Sequence, residues 1–440
     1  MKRFGNLYEK ICSYDNLVAA AEHARKGKGR QGTVKDFYKD FEANLRQLHG
    51  ELLNHTYKTS AYSLFTVYEP KERVIYRLPF RDRIVHWAIM LVVEPIWIGT
   101  FTRDTYSCIT GRGIHGAFRK LKADLKDVSG TRYCLKVDVR KFYPTIDHSI
   151  LKQIIRKKIK DAALLGLLDG IIDSVPDNEG VPIGNYLSQF FANLYLSELD
   201  HLLKEQYRVK YYYRYADDIV VLDGSKERLH ALLVAINDYL MAERNQQLKG
   251  NFQVFPVESR GIDFIGYVFY HTHVLARKKN KQALARQLHK LRKRDLSEKE
   301  VMLSAASRVG FIRHCNSVNL FNKFNVVVMK KFSEIEKTRG KLEGTKLHID
   351  TILNRPIRLL AFEVTDSKHN AEKCLTLQYE VEEPPDTGPS EWVKHITFTG
   401  SKALIKQLEG IEQVDFPVET KIIKQAIGDG RKHFYKFTDP

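Results

Sequence analysis

Three acids stand where carboxylates can do chemistry. In the segment LKVDVRKFYPTIDH, residues 135–148, Leu135 and Val137 alternate with Lys136 and Asp138, which puts Asp138 at the end of a strand, within reach of a metal. In YYYRYADDIVVL, residues 211–222, aromatic and β-branched runs flank Ala216, Asp217 and Asp218, the pattern of a hairpin whose tight turn carries two adjacent acids. Adjacent carboxylates repel, so a turn presenting both beside a third acid is stable mainly when cations neutralise them. Taken singly, a strand-end Asp is usually a cap and an Asp-Asp pair a solvated turn.

The elements that must position them read as an α+β core. Residues 131–270 suggest a strand at 132–138, helices near 148–172 and 186–204, strands at 211–215 and 219–222, and a helix over 225–246. Ahead of this, residues 1–60 read as helices through Phe37, Phe41, Leu45, Leu48 and Leu52, with a basic, glycine-rich loop at 24–32. Residues 62–83 look strand-like and 82–100 helical, and the apolar run 87–98, interrupted by Glu94 and Pro95, reads as a buried helix. Residues 277–294 hold nine Lys or Arg and no acid, with Leu284, Leu288 and Leu291 spaced for one apolar helix face. A break at 382–390, EEPPDTGPS, precedes short alternating strands around HITFTGSKALIKQL.

Further segments join the acids into a longer pattern. GVPIGNYLSQFFANLYLSELD, residues 180–200, lies between the two acidic sites, GIDFIGYVFY, residues 261–270, follows them, and EPKERVIYRLPFRDRIVHWAI, residues 69–89, precedes them. In this order they resemble the motifs of reverse transcriptases over roughly residues 1–340, most specifically in the YADD and IGNxxSQ segments. The isoleucine before the glycine and SQ in place of SP most resemble the enzymes of diversity-generating retroelements, to which bacterial defence and retron reverse transcriptases are related.

The resemblance implies a right-hand polymerase: fingers, a palm with an antiparallel sheet, a helical thumb and a small C-terminal β-rich module. Its expected boundaries are 1–130 for N-terminal helices and fingers, 131–275 for the palm with finger insertions near 148–180, 276–345 for the thumb, and 346–440 for the accessory module. It implies two Mg²⁺ ions, replaceable by Mn²⁺, on Asp138, Asp217, Asp218 and the carbonyl of Val139. Lys71 and Arg73 would hold the triphosphate, with Ile183, Gly184 and Gln189 around the nucleotide. Tyr143 would be an aromatic gate against a ribose 2′-hydroxyl. Phe264, Ile265 and Gly266 would form a primer grip, and Arg277, Lys278, Lys279, Arg286, Lys290 and Arg294 would hold the nucleic-acid backbone. Lys249 falls near the place of a lysine that protonates pyrophosphate. Ile183 departs from the glutamine many relatives carry there, and cannot hydrogen-bond to the nucleotide.

Composition agrees with a polyanionic partner. The 440 residues carry a formal charge of +18, which favours phosphate backbones through counterion release. Five cysteines without a CxxC pair argue against a zinc site or disulfide framework, and no apolar run is long enough to span a membrane. The N-terminus lacks a secretory pattern, so the expected location is the cytoplasm of a bacterium or of a phage-infected cell. Expected partners are an RNA template, a DNA or RNA primer and dNTPs, with a structured noncoding RNA and a small accessory protein as further candidates. The expected function is RNA-directed DNA synthesis, error-prone and serving a diversity-generating retroelement or phage. The alternatives are an antiphage defence enzyme copying a dedicated noncoding RNA, and a catalytically silent nucleic-acid-binding fold.

Overall fold

The computed structural model describes residues 2–68, 72–175, 179–294, 296–326, 330–331, 345–366, 373–383, 391–408, 416–427 and 432–440. The chain divides into two units, Met1–Leu284 with His314–Asn316, and Ala285–Arg313 with Ser317–Pro440.

The first unit begins with helices α1 (Tyr8–Cys12), α2 (Tyr14–Arg25), α3 (Gly32–Lys39) and α4 (Phe41–Leu53). A two-stranded ribbon, β1 (Ser63–Val67) and β2 (Arg73–Arg77), leads to α5 (Phe80–Ile98) and α6 (Gly113–Asp124). Then come β3 (Tyr133–Asp138), α7 (His148–Arg156), α8 (Ala162–Ile172), α9 (Tyr186–His201), β4 (Tyr211–Tyr215), β5 (Asp218–Asp223), α10 (Lys226–Arg244) and β6 (Gln253–Pro256). The short α11 (Val257–Arg260) precedes the small sheet β7 (Ile262–Phe264), β8 (Tyr267–Phe269) and β9 (Val274–Ala276), after which α12 (Lys278–Arg292) opens.

The central sheet runs β4-β5-β3-β6 with antiparallel neighbours throughout. Its alternation does what the sequence requires: Leu135, Val137, Ile219 and Val221 enter the main apolar core, which leaves Lys136 and Asp138 on the opposite face. Helix α10 covers β3, β5 and β6, and α9, apolar on nearly all sides, is sandwiched against α5 and α7. Helix α5 is indeed buried, with Ile84, Val85, Ala88, Ile89, Val93 and Trp97 in the core.

The single helical stretch expected at 148–172 is two helices. Asp161 interrupts it: its carboxylate caps α8 through the Leu164 N–H at 3.1 Å and also accepts the N–H groups of Leu7 and Tyr8 at 2.6 and 3.0 Å. An Asp cap contributes about 1 kcal/mol, and here it also fastens α1.

The second unit holds α13 (Glu298–Ile312), α14 (Val318–Lys323), β10 (Lys330–Lys331), β11 (Thr345–Lys346), β12 (Ile357–Asp366), β13 (Lys373–Glu383), β14 (Glu391–Thr399), α15 (Lys402–Leu408), β15 (Val418–Ile427) and β16 (Lys432–Thr438). Its sheet runs β10-β15-β12-β13-β14-β11, with β16 on β15, around Leu359, Leu375, Leu377, Tyr379 and Ile422. The β-rich C-terminal module is therefore present. Residues 402–408, expected to alternate as a strand, form a helix instead, because Leu404, Ile405 and Leu408 recur at helical spacing and are buried together. Of the expected break at 382–390, Glu382 and Glu383 end β13 and residues 384–390 lie outside the described residues.

Candidate active site

The register of β3 against β5 sets Asp138 directly opposite Asp218. Facing residues of an antiparallel pair point to the same side, so both carboxylates leave the sheet together. Asp217 belongs to the two-residue turn that joins Tyr215 to Asp218, and Ala216 enters that turn at φ 55°. A left-handed φ at this first position usually selects glycine, so the alanine turn is strained by about 1–3 kcal/mol and needs support from its surroundings.

The support is Arg214, a charged residue inside an aromatic strand. Its guanidinium meets Asp200 of α9 at 2.7 and 2.6 Å and donates to the carbonyl of Ala216 at 3.1 Å and to Asn193 Oδ1 at 3.2 Å. Asp200 also accepts from Tyr212 Oη at 2.6 Å and Thr105 Oγ1 at 2.8 Å. Sequence reading overlooked both residues. The signal was an arginine flanked by tyrosines in an aromatic strand, where a buried guanidinium requires an acid beside it.

Among the acids, the carboxyl of Asp217 stands beside that of Asp138, and burial together with the Asp138 charge pushes it well above the usual carboxylate range. Burial also raises Asp218, partly offset by Lys136, whose Nζ lies 3.3 Å from each carboxylate oxygen. Asp138 accepts from Lys249 Nζ, and the Lys249 N–H donates to the Asp138 carbonyl at 2.9 Å. With one lysine on each of these carboxylates, no three His, Cys, Asp or Glu side chains among the described residues converge as a ready ligand cage.

The donor set nevertheless fits divalent cations. Neighbouring carboxyls of Asp138 and Asp217, and an Oδ1 of Asp218 that is buried and has no polar partner among the described residues beyond its ion pair with Lys136, are oxygen donors whose repulsion hard cations relieve. Val139, at the same strand end, is buried opposite Leu248, between the Lys249 and Arg140 backbone bonds.

Phe142 packs in the core while Tyr143 stays half-buried, and burial, with Cys108 and Asp217 adding to it, keeps its phenol protonated. The Tyr143 carbonyl accepts from Val181 N–H at 2.9 Å, which straps the 179–184 loop beside it. The Ile183 carbonyl accepts from the Tyr76 N–H of β2 at 3.0 Å. Gly184, at φ 116°, lies so close to β2 that an added Cβ would meet Ile75 Cγ2 at 2.9 Å. Gln189 is half-buried in the first turns of α9. Arg73 is exposed on β2, and Lys71 lies outside the described residues.

Phe264 is buried at the end of β7, and Ile265 and Gly266 form the two-residue tip between β7 and β8. Arg277, expected to hold a phosphate, is ion-paired with Asp263. Lys278, Lys279, Arg286 and Lys290 are exposed along α12, and Arg294 is exposed just past its end, while Leu284 and Leu288 are buried.

Comparison with known proteins adds two family matches. Residues 68–269 match the family described as reverse transcriptase (RNA-dependent DNA polymerase), and residues 343–438 match a domain of unknown function. Protein YkfC of Escherichia coli K12 is 28% identical over 229 residues, covering 42% of this chain and 60% of that protein. Group II intron-encoded protein LtrA of Lactococcus lactis subsp. cremoris is 24% identical over 211 residues, covering 45% of this chain and 35% of that protein. The chain thus spans about three fifths of the one and a third of the other. Apo telomerase from Candida tropicalis aligns at a TM-score of 0.39 and 13% identity, over 51% of this chain and 49% of that one. No helix among the described residues is long and apolar enough to cross a membrane.

Proposed function

Because residues 68–269 carry a reverse transcriptase domain, we propose that the chain is an active RNA-directed DNA polymerase that extends a primer along an RNA template. The observation that carries this is the meeting of Asp138 and Asp217 carboxyls beside Asp218 at one end of the central sheet. Asp138 and Asp217 would hold a pair of divalent ions, Mg²⁺ by our reading, with Asp218 and the Val139 carbonyl completing the oxygen set. Bound there, such ions activate a primer 3′-hydroxyl and neutralise charge on the departing pyrophosphate. The protein's own part is placement. Tyr143 closes the sugar side of the nucleotide against a 2′-hydroxyl, Gly184 lets the nucleotide-side loop press onto β2, and Arg73 supplies positive charge from the same ribbon. Lys249, held on Asp138, is our candidate proton donor to the leaving group.

We assign the biological role to diversification of a target gene by a retroelement or phage, on the strength of Ile183. Its apolar side chain offers the nucleotide no hydrogen bond, which suits a copyist that tolerates mismatches. The basic face of α12, with Arg286 and Lys290 one helical turn apart and Arg294 just beyond its end, would grip the duplex backbone.

The test is extension of a DNA primer annealed to a defined RNA, with wild type beside the double variant Asp217→Asn and Asp218→Asn. The wild type should incorporate deoxynucleotides and the variant should not, while RNA binding stays within about threefold. Equal extension by both proteins rejects the assignment.

A further inference from the structure

The hairpin of β7 and β8 is held in a way its own sequence does not favour. Its tip places Ile265 at φ 45° and Gly266 at φ 94°. Two successive positive φ values define a turn suited to Asn-Gly, and a β-branched residue in the first place is an outlier that persists only where neighbours over-determine it. Those neighbours are visible. The Gly266 carbonyl accepts from the Arg277 N–H and from Asn280 Nδ2, both at 3.0 Å, and the Arg277 guanidinium pairs with the Asp263 carboxylate.

The remaining contact comes from the acidic centre. Strand β7 is the edge of its sheet, so part of its backbone has no partner in the ladder. Lys136 Nζ donates to the Asp263 carbonyl on that edge while standing 3.3 Å from the Asp218 carboxylate. Within β3, Lys136 is two residues before Asp138 and shares its face; it is paired with Val220, diagonal to Asp218. One ammonium therefore touches the acid turn and the hairpin together.

We propose that Lys136 is a positioning residue that sets the 262–269 hairpin, and with it the primer 3′ end, in register with the three carboxylates. This rests on the polymerase reading above and on the primer-grip role that the resemblance implies for Phe264, Ile265 and Gly266. An ammonium has three donors and no acceptor, so one group can bind a carboxylate and a carbonyl at once. A lysine whose sole task is to neutralise Asp218 needs no second contact. The distinction is measurable: loss of a hairpin tie weakens the handling of primer, whereas loss of a counter-charge alone alters the turnover step and the cation requirement.

The experiment uses the full chain on a DNA primer annealed to a defined RNA template, with Lys136→Met and Lys136→Arg beside wild type and melting temperatures recorded for each. We expect Lys136→Met to raise the KM for primer–template about tenfold while the KM for dNTP stays within about twofold, and Lys136→Arg to return the primer KM to within about threefold of wild type. A primer KM unchanged in Lys136→Met, or a dNTP KM that rises as far as the primer KM, overturns the inference. Should Lys136→Met fail to fold, Lys136→Gln is read by the same criteria. A wild-type chain that extends no primer overturns the polymerase reading and this inference with it, a result plainly different from a flat primer KM in an active enzyme.

Discussion

Arg214 and Asp200 form a two-point ion pair with no exposed surface, and the same guanidinium holds the Ala216 carbonyl of the acidic turn. Pairs of this kind stabilise little against an apolar substitute, but removal of one partner strands the other charge in the core, at a cost of about 3–5 kcal/mol. Arg214→Met should therefore lower unfolding free energy by that amount in urea. Arg214→Lys, which cannot reproduce the fork, should also lose stability and extension activity. A melting curve unchanged in Arg214→Met would remove this pair as the support of the turn.

The carboxyl contact between Asp138 and Asp217 makes a prediction about cations that needs no turnover. Wild-type protein should gain thermal stability on addition of Mg²⁺, by about 1.4 kcal/mol at tenfold excess over the dissociation constant. Asp217→Asn should already be as stable without the ion and should gain less from it, since the repulsion is gone. Scanning calorimetry with and without Mg²⁺ reads both effects, and equal gains in the two proteins would move the cation elsewhere.

Tyr143 keeps its ring half-buried next to Phe142, which fills the core. Tyr143→Val should admit ribonucleotides while Phe142→Val should mainly destabilise the fold, by about 1–3 kcal/mol. Single-nucleotide incorporation with ATP against dATP separates the two. Unchanged sugar discrimination in Tyr143→Val places the gate on another residue.

Ile183 is tied to β2 through its backbone, so replacement of its side chain leaves that tie in place. Ile183→Gln should offer one added hydrogen bond worth about 0.5–1.5 kcal/mol and reduce misincorporation roughly two- to tenfold. Sequencing cDNA copied from one defined RNA by both proteins measures this. Equal error rates would withdraw the physical reason for assigning a diversifying role.

His86, buried in α5, has its pKa lowered to about 4, chiefly by desolvation and against the pull of Asp82. Its unfolded value is near 6.5, so above that pH both states are neutral and the fold keeps its full stability. As pH falls from about 6.5 to 4 the unfolded chain takes up a proton that the folded chain refuses, and stability drops by up to about 3 kcal/mol from this group. His86→Asn should flatten that part of the pH–stability curve in urea titrations at pH 7 and pH 5. An unaltered slope would assign the acid sensitivity to other groups.

What the sequence disclosed followed chemical necessity at short range. Alternation at Leu135 and Val137 and the flanks of Ala216 located β3, β4 and β5 within a residue or so, since strand periodicity and turn acids are local signals. The α12 leucines likewise showed their buried face. What stayed hidden depended on partners in other elements. Lys136 needs the carbonyl of Asp263, 127 residues on, while Arg214 with Asp200 and Arg277 with Asp263 pair from one element to another at a separation of 14 residues, across which neither a helix nor a strand period carries through. No spacing rule connects positions so separated. The cap that Asp161 makes on Leu164 is local, but the contacts that fasten it to Leu7 and Tyr8 lie more than 150 residues away.

Pairing Asp138 with Asp218 across the ladder divides the acid group mechanically. Two carboxylates are anchored in neighbouring strands, whose separation is fixed by backbone hydrogen bonds, and cannot approach or part without deforming the sheet. The third rides on a two-residue loop that Arg214 stiffens from below through the Ala216 carbonyl. The site is thus a rigid jaw with one compliant finger, and any change of spacing demanded as charge migrates during a catalytic cycle must be absorbed at Asp217.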